Sequence, residues 1–163
     1  MVATSDDDFV AFVRDTSPQL LRTAWFICGD PVQAEELVQA ALEKVYVRWR
    51  RIDHGAATAY ARKVVLHHHI DTRRHRSREV LTDRTPDRAA QEHDVEDTDA
   101  LVRALATLAP RERQVVVLRH YVDLSEHEVA ETLGVGLGTV KSSASRGLAK
   151  LREILVPEGE NHA

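Results

Sequence analysis

The five residues Gly134-Val135-Gly136-Leu137-Gly138 hold three glycines and separate two stretches of helical spacing. Ahead of them, Leu124-Ser125-Glu126-His127-Glu128-Val129 has the form of a capped helix start. Ser125 is placed to accept from the backbone N–H three residues on, and Glu128 to reach back to the Ser125 N–H. Leu124 and Val129 stand where a hydrophobic staple would put them. Val129, Ala130 and Leu133 supply a narrow apolar face, and Gly134 the left-handed residue that ends a helix. Beyond the glycines, Leu137, Val140, Ala144, Leu148, Leu151 and Leu155 recur at the intervals of one helical face. The other face carries Thr139, Lys141, Ser142, Ser143, Ser145, Arg146, Lys150 and Arg152. From Thr139 to Arg152 there are four basic residues and no acidic one. Two helices, a glycine turn and a small-polar, basic outer face predict a helix-turn-helix, whose second helix enters the major groove of DNA. An ordinary helical hairpin with a solvated face has the same spacing.

The chain has 163 residues, room for one domain or two small ones. Apolar residues make 43% and charged residues 29%, and no strand-like alternation stands out, so the expected fold class is all-α. The start, Met1-Val2-Ala3-Thr4-Ser5-Asp6-Asp7-Asp8, is acidic where a secretory leader would be basic. No apolar run approaches membrane length. The single Cys28 excludes an internal disulfide, fits a reducing, cytoplasmic compartment and reads as a small core residue. The net charge of −4 is unexpected in a DNA binder, but it is unevenly spread. Residues 44–78 hold ten basic and two acidic side chains, against two and eight in 1–43 and two and seven in 82–99. Phosphate attraction is screened over about 10 Å at ordinary salt, so patches count for more than the total.

Ser5 with Asp8 forms a candidate capping box for a first helix with Phe9, Phe12 and Val13 inward. Ser17-Pro18 predicts a fresh start, followed by Leu20, Leu21, Ala24, Trp25 and Cys28 on one face and by Gly29 as a stop. Asp30-Pro31 opens a helix to about Arg51, with Ala34, Leu37, Val38, Ala41, Leu42, Val45 and Trp49 as a broad apolar stripe. Ile52 to Thr58 reads as a loop. A helix from about Thr58 to His75 follows, with Tyr60, Val64 and Ile70 inward, Ala61, Val65 and Leu66 adding to the packing, and a basic stripe and tail of Arg62, Lys63, Arg73, Arg74, Arg76 and Arg78. His67-His68-His69 invites a metal reading, but consecutive helical positions point about 100° apart and cannot converge on one ion. No metal or cofactor is expected, and the histidines are read as facing DNA. Residues 77–97 turn polar and acidic, as a linker does. From Thr98, Leu101, Val102, Leu105 and Leu108 share a face, and Pro110 opens a helix with Val115, Val116, Leu118 and Tyr121. Arg111, Arg113 and Arg119 are candidate phosphate contacts.

Several of these runs resemble one family in its own order. Glu128-Val129-Ala130, Leu133-Gly134, Gly138-Thr139-Val140-Lys141-Ser142, Ser145-Arg146 and Leu151-Arg152 resemble region 4 of bacterial sigma-70 factors. Leu108-x-Pro110, Gln114, Leu118 and Tyr121 resemble the start of that region. Gly29-Asp30 with Ala34-Glu35-Glu36-Leu37-Val38-Gln39, and Ile70-Asp71-x-x-Arg74, resemble region 2. The likeness is greatest to the extracytoplasmic-function (ECF) group, and Tyr46-Val47-Arg48-Trp49-Arg50 to its actinobacterial sigma-E-like subfamily. The resemblance implies two small helical domains joined by a flexible linker: region 2 over 1–78, linker 79–97, region 4 over 98–156 and a tail 157–163.

It also implies a function. Such a protein binds core RNA polymerase and directs it to promoter DNA without being an enzyme itself. Glu36, Gln39, Leu42 and Glu43 are the implied polymerase contacts. His54, Gly55, Tyr60, Arg62, Lys63, His67, Asp71 and Arg74 are the implied contacts to the −10 element, with the loop holding a flipped base. Gly138, Thr139, Lys141, Ser142, Ser143, Ser145, Arg146 and Lys150 are the implied −35 contacts. The linker would enter the polymerase active-site channel, and an anti-sigma factor would hold the protein inactive. The other class compatible with the helix-turn-helix is a regulator that grips an operator without polymerase. A Gly-rich phosphate loop, a nucleophile elbow and metal-ligand spacing are all missing from the sequence, which argues against an enzyme.

Overall fold

The computed structural model of the chain describes residues 4–79 and 96–156, all in helices or the turns between them. They fall in two compact units, Met1–His93 and Asp94–Ala163. Most of the expected linker, and the tail 157–163, lie outside the described residues; Glu79, Glu96 and Asp97 at the linker's ends belong to helices.

In the first unit, α1 (Ser5–Cys28), α2 (Pro31–Arg48) and α3 (Ala57–Glu79) pack on one another. The cap of α1 lies one residue before the expected one. Thr4 Oγ1 accepts from Asp7 N–H at 3.1 Å, and Asp7 Oδ2 accepts from Thr4 N–H at 3.0 Å. Thr4 and Ser5 offer overlapping boxes of equal spacing, so local chemistry does not choose between them. Pro18 does not start a new helix; it lies inside α1. An interior proline costs about 3 kcal/mol in lost hydrogen bonding and clash. Its exposed position puts the missing bond toward water, while Thr16, Leu20, Thr23 and Ala24 stay buried around it. Packing on both sides of the proline therefore outweighs the local break.

Gly29 ends α1 at φ 76°, and Asp30 caps α2 by accepting from Val32 N–H at 2.9 Å. The stripe of α2 is buried as expected, with Leu42 partly exposed. The helix stops at Arg48 rather than Arg51: residues 49–51 form a tighter turn in which Trp49 N–H donates to the Tyr46 carbonyl at 3.1 Å and Arg51 N–H to the Arg48 carbonyl at 2.9 Å, with Trp49 itself buried as expected. The Ile52–Thr58 segment is more ordered than a plain loop: a short 3-10 turn, His54–Ala56, leads into α3. In α3 the fully buried positions are Ala57, Ala61, Val65 and Leu66, while Tyr60 and Ile70 are only half-buried. His69 is also buried, at 5% exposure, so it does not face DNA. His67 and His68 point to solvent.

The second unit is built from α4 (Glu96–Ala106), α5 (Pro110–Val116), α6 (Glu126–Leu133) and α7 (Leu137–Leu155). Its core gathers Val102, Leu105, Leu108, Val115, Leu118, Val129 and Val140. α5 runs on as a wider π-helical turn, Val117–Tyr121. Val122 N–H donates to Val117 O at 3.1 Å and Leu124 N–H to Leu118 O at 3.0 Å. The chain then leaves through Asp123, at φ 65°. Five consecutive residues, 114–118, are buried, and the last two of them stand in the wide turn. Arg119 closes it by donating to the Leu124 carbonyl at 2.8 Å.

Candidate nucleic-acid interface

The helix-turn-helix forms as its spacing predicts. Ser125 Oγ accepts from Glu128 N–H at 3.1 Å and Glu128 Oε2 from Ser125 N–H at 2.7 Å, a cap worth about 1 kcal/mol. Gly134, at φ 66°, ends α6. α7 begins after Gly136 with no side-chain cap on its first amides. A helix N-terminus with open N–H groups attracts phosphate oxygens. Gly138, Thr139, Lys141, Ser142 and Ser145 are exposed there. Lys141 Nζ stands 3.9 Å from Glu126, a loose, solvated pair that leaves it available to DNA.

The buried stripe of α7 is rotated from the expected one. It runs through Val140, Ser143, Gly147 and Leu151, while Leu155 is exposed. Ser143, 1% exposed, therefore cannot touch a base or a phosphate. The shift follows from Gly147: a Cβ there would lie 2.7 Å from Val116 Cγ2 and 3.4 Å from the Glu112 carbonyl oxygen. Only a glycine lets α5 and α7 approach so closely.

Glu112 of α5, with its side chain 4% exposed, sits at the same crossing. Lys150 Nζ donates to its two oxygens at 2.5 and 3.1 Å. Ala109 N–H donates to Oε1 at 3.3 Å, and Arg146 Nε lies 3.8 Å from Oε2. The Lys150 hydrogen bond, opposed by burial and helped by Ala109 N–H and the two positive charges, holds this carboxyl below its ordinary range. Arg146 and Lys150 keep 61% and 48% of their side chains exposed. Among the other expected phosphate contacts, Arg111 is turned toward Gln114 at 3.2 Å.

In the first unit, Tyr60, Lys63, His67 and Asp71 form one stripe of α3. With Glu43 and Arg48 of α2 they line an open cleft of about 730 Å³. The Arg48 guanidinium lies 5.4 Å from the Tyr60 ring centre. Arg74 is exposed but outside the cleft, and Arg62 is half-buried on a different side of α3. His54 stacks on Trp49, and Gly55 N–H donates to Asp53 at 3.1 Å; neither lines the cleft. Gln39, Leu42 and Glu43 border an apolar groove of about 850 Å³ between α1 and α2, with Phe9, Tyr46 and Val47. Glu36 is exposed beyond the groove.

Comparison with known proteins decides the family. Residues 12–79 match the model of sigma-70 region 2, and residues 104–153 that of sigma-70 region 4. The RNA polymerase sigma-E factor of Streptomyces coelicolor is 42% identical over 155 residues, covering 91% of this chain and 86% of that one. This chain belongs to the sigma-70 family. Its relatives place it in the ECF group, as a factor of the sigma-E type. The ECF sigma factor SigE of Mycolicibacterium smegmatis is 31% identical over 161 residues, 93% of this chain and 63% of that one. The sigma factor RpoE of Bartonella quintana, solved with the anti-sigma factor NepR, superposes with a TM-score of 0.74 at 25% identity, over 93% of this chain and 98% of that one. CnrH, solved with the cytosolic domain of CnrY, shares the fold at a TM-score of 0.63 and 21% identity, over 90% and 86% of the chains.

As a sigma factor, the chain directs transcription, and neither matched region is a catalytic domain. No helix among the described residues is long and apolar enough to cross a membrane. Sequence reading missed three participants in this sigma factor's candidate surfaces: Glu112, Gly147 and the His54–Trp49 stack. A signal existed for Gly147, since an isolated glycine inside a helix costs about 1 kcal/mol against alanine and marks a packing reason.

Proposed function

We propose that residues 1–78 act as region 2 and residues 98–156 as region 4, with 79–97 as the tether. Region 4 binds the −35 element through Gly138, Thr139, Lys141, Ser142 and Ser145 at the head of α7, as base or phosphate contacts. Arg146 joins them as a base or phosphate contact, and Lys150 adds charge on the same helix. Region 2 engages the −10 element with Tyr60, Lys63, His67, Asp71 and Arg74, while His54 and Gly55 shape the loop before α3. The surface of α2 formed by the exposed Glu36, Gln39 and Glu43 and the partly exposed Leu42 docks on core RNA polymerase. The observation that carries the reading is the uncapped, exposed head of α7 with small and basic side chains, held on a buried scaffold.

The working place of such a factor is the cytoplasm, with the polymerase. A net charge of −4 supports weak binding to DNA by the free chain, with polymerase supplying the rest. An anti-sigma factor is a further expected partner, since the Bartonella quintana relative was solved with one. The stand-alone regulator is less favoured because region 2 has no place in it.

The test is in vitro transcription with purified core polymerase on genomic promoter fragments. New start sites beyond those made by core alone are expected; none would overturn the reading. Reversing charge with Glu36→Lys and Gln39→Lys should weaken co-sedimentation with core polymerase. Unchanged association would remove the docking assignment.

A further inference from the structure

The buried carboxylate of Glu112 is not on the DNA-facing surface, yet it bonds Lys150 and lies near Arg146, two of the three cations in the second half of α7. Arg146 and Lys150 lie four apart, on one side of the helix. Glu112 bonds Lys150 with both oxygens and stands 3.8 Å from Arg146 Nε. Between them, Gly147 brings the α5 backbone into contact. The geometry fixes two things at once. It pins α7 to α5 beside the Gly147 contact, because Lys150 bonds both oxygens of a buried carboxylate. It also holds the Nε edge of Arg146 by charge alone: at 3.8 Å from the buried carboxylate that edge is beyond hydrogen-bond reach, while the rest of the guanidinium lies outward on a side chain 61% exposed.

We infer that Glu112 is a positioning residue for −35 recognition: it draws Lys150 inward and presets the Arg146 fork toward the duplex, so that α7 presents a base reader rather than two loose phosphate-seeking cations. The inference rests on the reading of α7 as the −35 helix. Both the charge of Glu112 and the reach of its side chain matter. Glutamine has nearly the same shape and can still accept from Lys150 and from Ala109 N–H. It no longer holds two cations, and both become free to sample phosphates. Non-specific attraction then rises while discrimination falls.

The experiment selects binding sites from a randomised duplex library with holoenzyme, made from core RNA polymerase and either the full chain or its Glu112→Gln variant. For the wild type, a preferred upstream sequence is expected. For Glu112→Gln, the preference should flatten by about tenfold, the size of one lost directed base contact. The slope of log affinity against log salt should steepen by roughly 1 to 2, about 0.9 for each cation released to a phosphate. In an Arg146→Ala background, Glu112→Gln should bring no further loss of discrimination, which a merely structural role would not produce.

An unchanged sequence profile and salt slope, with only a lower melting temperature, would overturn the inference and leave the reading of α7 intact. A wild-type profile with no preferred sequence would overturn that reading, and the inference with it. If Glu112→Gln loses its helical circular dichroism, Glu112→Asp takes its place. It keeps the charge but withdraws the carboxylate by one methylene, and must flatten the profile while remaining folded; an undiminished preference would count against the inference.

Discussion

His54 lies flat on Trp49, with ring centres 3.9 Å apart and planes 15° from parallel. The indole Nε1–H of the same Trp49 donates to the Ser5 carbonyl at 2.9 Å. One side chain thus ties the turn before α3 to the first turn of α1. Phe9 and Phe12 pack on it with ring centres 5.3 and 5.2 Å away. His54→Ala should cost about 0.5–1.5 kcal/mol, the worth of one aromatic pair. Trp49→Ala should cost about 3–5 kcal/mol, by emptying a core site. Urea unfolding followed by circular dichroism measures both. Equal losses would mean that the stack, not the burial of the indole, holds the turn.

Gly147→Ala sets helix propensity against space. Alanine is favoured by about 1 kcal/mol in an open helix, whereas overpacking a core contact costs about 1–3 kcal/mol. The Cβ would stand 2.7 Å from Val116 Cγ2, so crowding is expected to win and the denaturation midpoint to fall. Removing the obstacle with Val116→Ala should make Gly147→Ala less harmful, or favourable, in a double-mutant cycle. A stabilised single variant would show that α5 and α7 can part freely.

Lys141 and Ser143 sit two residues apart on α7 yet should behave oppositely. Lys141→Ala should weaken promoter binding evenly across sequences and reduce the salt slope by about 1, as a lost phosphate contact does. Ser143→Ala should leave promoter binding unchanged, because the side chain is buried. Ser143→Lys should destabilise the fold, since a charge would enter the core without a partner. Titration of labelled promoter with holoenzyme at several salt concentrations separates these outcomes.

The folded carboxyl of Glu112 titrates below its ordinary value, which is about 4.3. A group whose pKa is depressed on folding contributes stability that is fully present above the unfolded pKa. That contribution is lost as pH falls through the folded one. The chain should therefore lose stability as pH drops below about 4.3, and Glu112→Gln should flatten that part of the curve. Thermal melts between neutral and acid pH test this; parallel curves for the two proteins would remove Glu112 from the acid sensitivity.

What the sequence disclosed was chiefly local. The Ser125–Glu128 cap, the Gly134 and Gly29 stops, the Asp30-Pro31 start and the α2 stripe are all set by residues within a few positions of one another. What it hid depends on distant partners. Pro18 reads as a break until packing on both sides of it is known. Ser143 reads as polar surface until Gly147 draws α7 onto α5. Glu112 stands between Arg111 and Arg113 and reads as a solvated face, because Lys150 is 38 residues away. His69 sits in a histidine run whose members point in different directions, and only the fold says which one is inside. The candidate contacts at the head of α7 were legible because a helix start and its exposed face share one short stretch.

The π-helical turn at Val117–Tyr121 makes the spacing of this region a matter of counting as well as of composition. Each residue of a regular helix turns the chain by about 100°, so dropping one residue from that turn would rotate the rest of the turn and move the point where the chain enters residues 122–125. The Arg119 bond to the Leu124 carbonyl, which closes the turn onto the start of α6, would then be lost, although no side chain of the reading helix had been altered. Insertions and deletions there should be far less tolerated than substitutions, and a helix-turn-helix transplanted from another factor will work only if this extra length travels with it.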